Sequence, residues 1–332
     1  MTADSSQESY PQRGAPRRRV LAAAALSPVL AGAAAPARAL AASTGEAQSR
    51  QVVQPVPTAL PDWEEVARAL RRKGDMKRGM MYHTALPRYD LRVRSHRVEV
   101  KPALALGSHV SFVRYADKST LLMGDVVVTE QEMQPFIDVL HEHKIGQTAI
   151  HKHLLSQTPD IWWIHLHAHG DDPVALARGL CAAFDRTGTP PPLPSSKWDS
   201  GDLDTAGIDA AMGVKGVVDD GIYKSVFVRR ETITDGHLVL PPGLGSTSAF
   251  NFQPLGDGLA AISGDCAMIA SEVQDVLAAL RRGGAQLVEL HNHGLTDEPR
   301  LFFVHFWAVG DGVRLARALR PAVTATNVVP VG

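Results

Sequence analysis

The sequence predicts an α+β protein of two duplicated domains, each a mostly antiparallel sheet with helices packed on one side. Three observations carry this prediction. The chain repeats itself at a spacing of about 140 residues. Each copy holds short strand-like apolar runs. Each copy also holds amphipathic helices at matching places.

The repeat is visible residue by residue. Asp125 in "LLMGDVVV" answers to Asp265 in "AAISGDCAM", and His151-Lys152-His153 to His291-Asn292-His293. Pro159 answers to Pro299 and His165 to His305, so "SQTPDIWWIHLHA" overlays "TDEPRLFFVHFWA" without a gap. The copies match over about residues 62–187 and 204–327, and the second domain is taken to run on to 332. Residues 188–203, beginning "GTPPPLPSSKWDSGD", are a Pro/Ser-rich linker expected to be extended and exposed.

Within the first copy a short helix is expected from Trp63 to Arg72, followed by strands in "MMYHTAL", "DLRVRSHRVEV", "SHVSFVRY" and "STLLMGDVVV". The next helix has Thr129 as its cap and Glu132 three residues on, a capping box. Met133, Phe136, Ile137 and Leu140 give it an apolar face, repeated by Val273, Val276, Leu277 and Leu280 in the second copy. Two strands follow. A last helix opens at Asp172-Pro173, where proline suits the first helical position.

Composition narrows the function classes. Hydrophobic residues make up 45% and charged residues 21%, and the formal net charge is −1, so a sizeable core is expected and a nucleic-acid partner is not. Residues 1–41 read as a signal peptide: Arg17, Arg18 and Arg19, an Ala/Leu-rich stretch, then Ala-x-Ala. The order resembles a twin-arginine signal, which implies export, and residues 42–61 read as a flexible leader. No other stretch is apolar enough for a membrane span. Cys181, in a helix, and Cys266, in a strand, are too few for a disulfide framework and read as buried thiols, with a single bridge as the alternative.

The chemistry is concentrated in "IHKHLLSQTPDIWWIHLHAHG", residues 150–170, which holds five of the chain's 14 histidines, all at odd positions. Alternation along a strand puts His151 and His153 on one face, and His165, His167 and His169 on one face of the next strand. A hairpin centred near Pro159 would set His153 opposite His165 and His151 opposite His167, close enough for imidazoles to meet on one ion. The second copy offers His291, His293 and His305, with Trp307 in place of His167 and Glu289 in place of Ala149. The metal ligands expected are therefore His151, His153, His165, His167, His291, His293 and His305. The cation is a divalent transition metal, zinc first, with copper, iron or nickel as alternatives. Glu289, roughly 13 Å along the strand from His293, reads as a proton shuttle or outer partner. His169 is left between ligand and strand-end residue. Spacing alone leaves open whether each repeat has its own site or both share one. Asp125 and Asp265 read chiefly as turn or backbone-bonding residues, with orienting a histidine as the alternative. His83, His109, His141, His143, His96 and His237 read as surface or loop residues. Trp163 or Trp307 would line an adjoining pocket.

"KPALALGSHVSF", "MGDVVVTEQEMQP", "TAIHKHLL" and "LVELHNHGLTDEPRLFFVHFWA" together resemble the LppY/LpqO family of bacterial proteins, long classed as of unknown function. The resemblance covers nearly all of residues 62–327. It carries the family's His-Asn-His and Pro-turn pattern onto His291, Asn292, His293, Pro299 and His305, and it suggests that Asn292 orients a ligand or substrate. Lys152 departs from that pattern in the first repeat. The reading reached is a metal-dependent enzyme acting on a small-molecule substrate. It would be a hydrolase or lyase with zinc, or an oxidoreductase with copper or iron, using Glu289 and Asn292 as catalytic residues. The alternative is a non-catalytic exported metal-binding or sensing protein. A purely structural duplicated domain is the third possibility.

Overall fold

The computed structural model describes residues 52–192 and 200–331, so the predicted signal peptide, the first half of the leader and the middle of the linker lie outside the described residues. The two repeats each build an antiparallel sheet by the same path, and the protein is α+β as its sequence predicts. In the first repeat the principal strands are β1 (Met81–Pro87), β2 (Gly107–Arg114), β3 (Thr120–Thr129), β4 (Gly146–His151) and β5 (Ile161–Gly170). In the second they are β6 (Ile222–Arg229), β7 (Thr247–Gly256), β8 (Leu259–Met268), β9 (Gln286–Asn292) and β10 (Phe302–Asp311). The order is β1-β2-β3-β5-β4 in one sheet and β6-β7-β8-β10-β9 in the other, with Asp75–Lys77 and Val217–Asp219 at the outer edges.

Helices α1 (Glu64–Ala69), α2 (Glu130–Glu142) and α3 (Pro173–Phe184) cover one face of the first sheet. Helices α4 (Thr205–Met212), α5 (Val273–Arg282) and α6 (Gly312–Thr324) cover one face of the second. The expected caps are in place. Thr129 accepts from the Glu132 amide while Glu132 accepts from the Thr129 amide, and Asp172 accepts from the amides of Val174 and Ala175. Phe136 and Leu140, with Val276 and Leu280 as their counterparts, are fully buried beneath the sheets. Cys181 and Cys266 are buried and unbridged.

Strand alternation decides what the other faces do. Residues of one parity (Phe112, Leu122, Val126, Leu166) face the helices, and those of the other parity (Met123, Val127, Trp163) face the second repeat. The two sheets therefore pack against each other, with the helices outside, in four layers. Two apolar clusters fill this inner interface, and they are the same cluster written twice. One holds Val93, Val100, Leu104, Val127, Ile161 and Trp163. The other holds Ile233, Leu240, Leu244, Ala267, Leu301 and Phe303. The two sets are pseudo-twofold equivalents.

A buried arginine pins each copy. Arg88 donates to both Asp90 and Glu132 and to the Val127 carbonyl. Arg229 does the same with Glu231, Glu272 and the Ala267 carbonyl. The run "DLRVRSHRVEV" departs from expectation. It leaves the main sheet and forms a ribbon in which Val93–Ser95 pairs with Val98–Val100 and with Gln157–Thr158.

Candidate metal centre

The hairpin register differs from the one expected. His165 lies opposite Ala149 and His151 opposite Trp163, with a bulge between Gln147 and Ala149. The chain between β4 and β5 is not a tight turn, because Gln157–Thr158 is drawn into the neighbouring ribbon. The shift is by an even number of residues, so every side chain keeps its face. His151 and His165 still point at the second repeat, but His167 no longer meets His151. Its Nε2 instead bonds the Asp235 carboxylate, which also accepts from Thr296.

The remaining six predicted ligands converge from both sheets onto one place between the two apolar clusters. His151 and His291 stack with centroids 4.0 Å apart. Beside them His153 stacks on His305 at 3.7 Å, and His165 meets His293 at 4.3 Å. The Nε2 atoms of His151 and His153 are 3.0 Å apart, and those of His291 and His305 are 2.8 Å apart. Two imidazole nitrogens about 2.0–2.1 Å from one cation lie about 2.9 Å apart at a right angle and about 3.4 Å apart at the tetrahedral angle. The rings are thus spaced as ligands are. Two groups of three, His151/His165/His291 and His151/His153/His305, have nitrogens within 4.8 Å of one another.

The rings are deep. His151 is 0%, His305 2% and His165 5% exposed, and the Nδ1 atom of each is buried with no hydrogen-bond partner. Burial, reinforced by the other rings, holds His151, His293 and His305 well below the usual histidine range and lowers His291 to about 4. For His165 burial outweighs the opposing pull of Asp125. Neutral imidazoles with free lone pairs are what a transition cation requires.

Asp125, chiefly a backbone residue on the sequence reading, enters the cluster. Its Oδ2 lies 3.3 Å from His153 Nε2, 3.8 Å from His165 Nε2 and 4.0 Å from His151 Nε2, and its Oδ1 is buried without a partner. Burial disfavours its ionisation, but His165 and His153 outweigh that and hold the carboxylate well below its ordinary range. Asp265, its counterpart, accepts from the Ala249 amide and is pushed up to about 7 by burial. The glycine before each has a packing reason. A Cβ on Gly124 would meet the His109 carbonyl at 2.6 Å, and one on Gly264 would meet the Phe306 ring at 2.4 Å. The Gly-Asp pair shared by both repeats was the sequence signal for these carboxylates.

A cavity of about 770 Å³ opens on the cluster. His153, His165, His293, His305, Asp125 and Asp265 line its inner part, and Arg78, Tyr89, Lys215 and Asp220 lie further out. Trp163 lines it, its ring stacked on His153 at 4.7 Å and its Nε1 donating to the Ala105 carbonyl. Trp307 does not line it; it lies in the apolar cluster with Ile161. His83 and His109, read as surface residues, stack at 5.7 Å along the cavity wall. His169 is exposed and sits near His237, away from the six rings.

The two residues expected to be catalytic have other occupations. Glu289 Oε2 accepts from the Lys152 amide at 2.7 Å. Asn292 donates to the carbonyls of Thr148 and Gly294, and Thr148 in turn donates to the His293 carbonyl at 2.6 Å. These bonds tie β4 to β9, the edge strands of the two sheets, and neither Glu289 nor Asn292 lines the cavity. A carboxylate and an amide on adjoining edge strands find backbone partners before they find a substrate.

The chain is similar in part to three solved structures. The double-ringed trimeric shell protein of the RMM microcompartment is 13% identical, over 62% of this chain and 82% of its own, with a TM-score of 0.18. The trimeric shell protein PduB is 11% identical, over 75% and 92%, with a TM-score of 0.17. EtuB from Clostridium kluyveri is 12% identical, over 77% and 94%, with a TM-score of 0.18. No residue of the site is read from them. A search of curated proteins gives no match. The family model described as Domain of Unknown Function (DUF1259) matches twice, over residues 64–186 and 206–325, so the chain belongs to the DUF1259 family and carries its domain in tandem.

Proposed function

We propose that this protein binds a divalent transition cation between its two repeats, zinc first, with copper, iron or nickel as alternatives. The observation that carries this reading is the convergence of six imidazoles, three of them buried, among which the Nε2 atoms of His151 and His153 and of His291 and His305 approach to 3.0 and 2.8 Å. Hydrogen bonding within the core is the competing explanation. It pairs Nε2 with Nε2, whereas a shared cation would take both lone pairs. Carboxylate-poor ligation disfavours magnesium and calcium. The test is elemental analysis of untagged full-length protein, followed by melting with and without chelator. At least one ion per chain is expected, with a melting temperature that falls on chelation. Metal-free protein from metal-replete medium, unable to take up zinc, would remove the reading.

Catalysis on a small-molecule substrate is the second reading. It is favoured by the cavity and by the two unequal carboxylates within it, one held well below the usual carboxylate range and one pushed up to about 7. In that reading Asp265 and Asp125, rather than Glu289 and Asn292, stand where proton transfer would occur. Turnover of a substrate panel that is lost in Asp265→Asn with metal retained would support it. Among the described residues no helix is long and apolar enough to cross a membrane. We also propose an LppY/LpqO-type assignment within the family, on the motifs quoted above. Export by a twin-arginine-type signal is proposed on residues 1–41, and cell fractionation tests it.

A further inference from the structure

We propose that the cavity beside the histidines takes a small organic anion that carries hydroxyl groups. Arg78 and Lys215 would meet its charge, and Ser111, Asn251 and Ser263 its hydroxyls. This names a ligand class for the cavity of the catalytic reading, on which it rests.

Strand alternation gives the cavity a polar row. Lys224, Asn251 and Ser263 are cross-strand neighbours in the second sheet, and His83, Ser111 and Met123 are their equivalents in the first. The row lies two residues, about 7 Å, along the strands from the one that holds Asp125 and Asp265. Ser111 is 5% and Ser263 3% exposed, and both line the cavity. Among the described residues neither hydroxyl has a hydrogen-bond partner, nor has the side-chain amide of Asn251. Buried hydroxyls normally have one. A molecule in the cavity with hydroxyls of its own can supply it.

The charges on the cavity wall point to an anion. Lys77 pairs with Asp75 and Lys224 with Asp219, and Tyr89 donates to Asp220. Nearer the histidines, Asp125 lies 3.3 Å from His153, and Asp265 accepts from the Ala249 amide. Arg78 and Lys215 are exposed, line the cavity and have no carboxylate partner among the described residues. Arg78 belongs to the first repeat yet reaches the second: its Nε lies 4.0 Å from where a Cβ on Gly243 would stand. A guanidinium and an ammonium so left suit a carboxylate or a phosphate, which share this chemistry.

The experiment is isothermal titration calorimetry on untagged full-length protein, zinc-treated and chelator-stripped. The probes are D-gluconate, D-glucitol 6-phosphate, uncharged D-glucitol and hydroxyl-free hexanoate. At least one of the first two should bind saturably, the tighter naming the anionic group, with glucitol and hexanoate at least about tenfold weaker. Arg78→Asn, which suits the left-handed backbone there (φ 52°), should weaken that anion about tenfold, and Lys215→Ala and Ser263→Ala about fivefold each. No binding of either anion, equal binding of glucitol, or binding unchanged in the Arg78→Asn/Lys215→Ala double variant would overturn the proposal. Any of these with zinc uptake retained leaves the cation reading standing. An anion bound as expected but not turned over would support the assignment and remove the catalytic reading alone.

Discussion

His151 and His291, 140 residues apart in sequence, stack with ring centroids 4.0 Å apart and planes 23° from parallel at the seam between the two sheets. Neither repeat could build this arrangement alone, because each supplies one ring of every close pair that crosses the seam.

Acid should weaken the metal-free protein. His291 titrates at about 4 when folded, against 6.5 when free, and His151, His165, His293 and His305 are also lowered. Between those values the unfolded chain binds protons that the folded chain refuses, so stability falls as pH drops below about 6.5. Asp265, raised from 3.8 to about 7, acts the other way, since the folded chain keeps a proton there that the unfolded chain has released. Five rings outweigh one carboxyl. The melting temperature in chelator should fall from pH 6.5 to about 5, and more steeply in Asp265→Asn. A flat profile would contradict the neutral-ring description.

Arg88 is wholly buried with two carboxylates on its guanidinium. Arg88→Met should destabilise by about 3–5 kcal/mol in urea unfolding, because Asp90, Glu132 and the Val127 carbonyl lose their donor together. Arg88→Lys should recover little of it, since one ammonium cannot reproduce the planar fork. Recovery by lysine would show that charge alone matters there.

Glu289→Ala should cost about 1 kcal/mol by releasing the Lys152 amide while leaving bound metal unchanged. Glu289→Gln, which keeps an acceptor oxygen, should behave as native. Metal lost in both variants would return Glu289 to the site.

His167→Ala should retain full metal content, because its ring is engaged by Asp235 away from the six converging histidines. Elemental analysis alongside His151→Ala, for which loss is expected, makes the comparison. Equal losses would mean that His167 rearranges to coordinate.

How much of this was legible in the sequence follows from what repetition and periodicity encode. The 140-residue frame, the Thr129–Glu132 cap and the odd-numbered histidine faces are local properties, set by strand alternation and side chains reaching a few residues along the chain. They made the fold class readable, together with the shared face on which six of the seven candidate histidines lie. The hairpin register was not readable, because Gln157–Thr158 pairs with Arg94 and Ser95, some sixty residues upstream. That pairing moved His167 to Asp235.

The partner of each side chain was likewise beyond the sequence. Glu289 and Asn292 look reactive in a line of letters, but in space they lie along the neighbouring edge strand, where amides and carbonyls claim them. Asp125 looks structural, but in space it meets three imidazoles. The sequence by itself determined two copies of a sheet with histidines on one face. Only the tertiary structure decided that those faces would be turned toward each other. The physical reason is that both faces carry apolar clusters, and packing them together removes those clusters from water and brings the rings along.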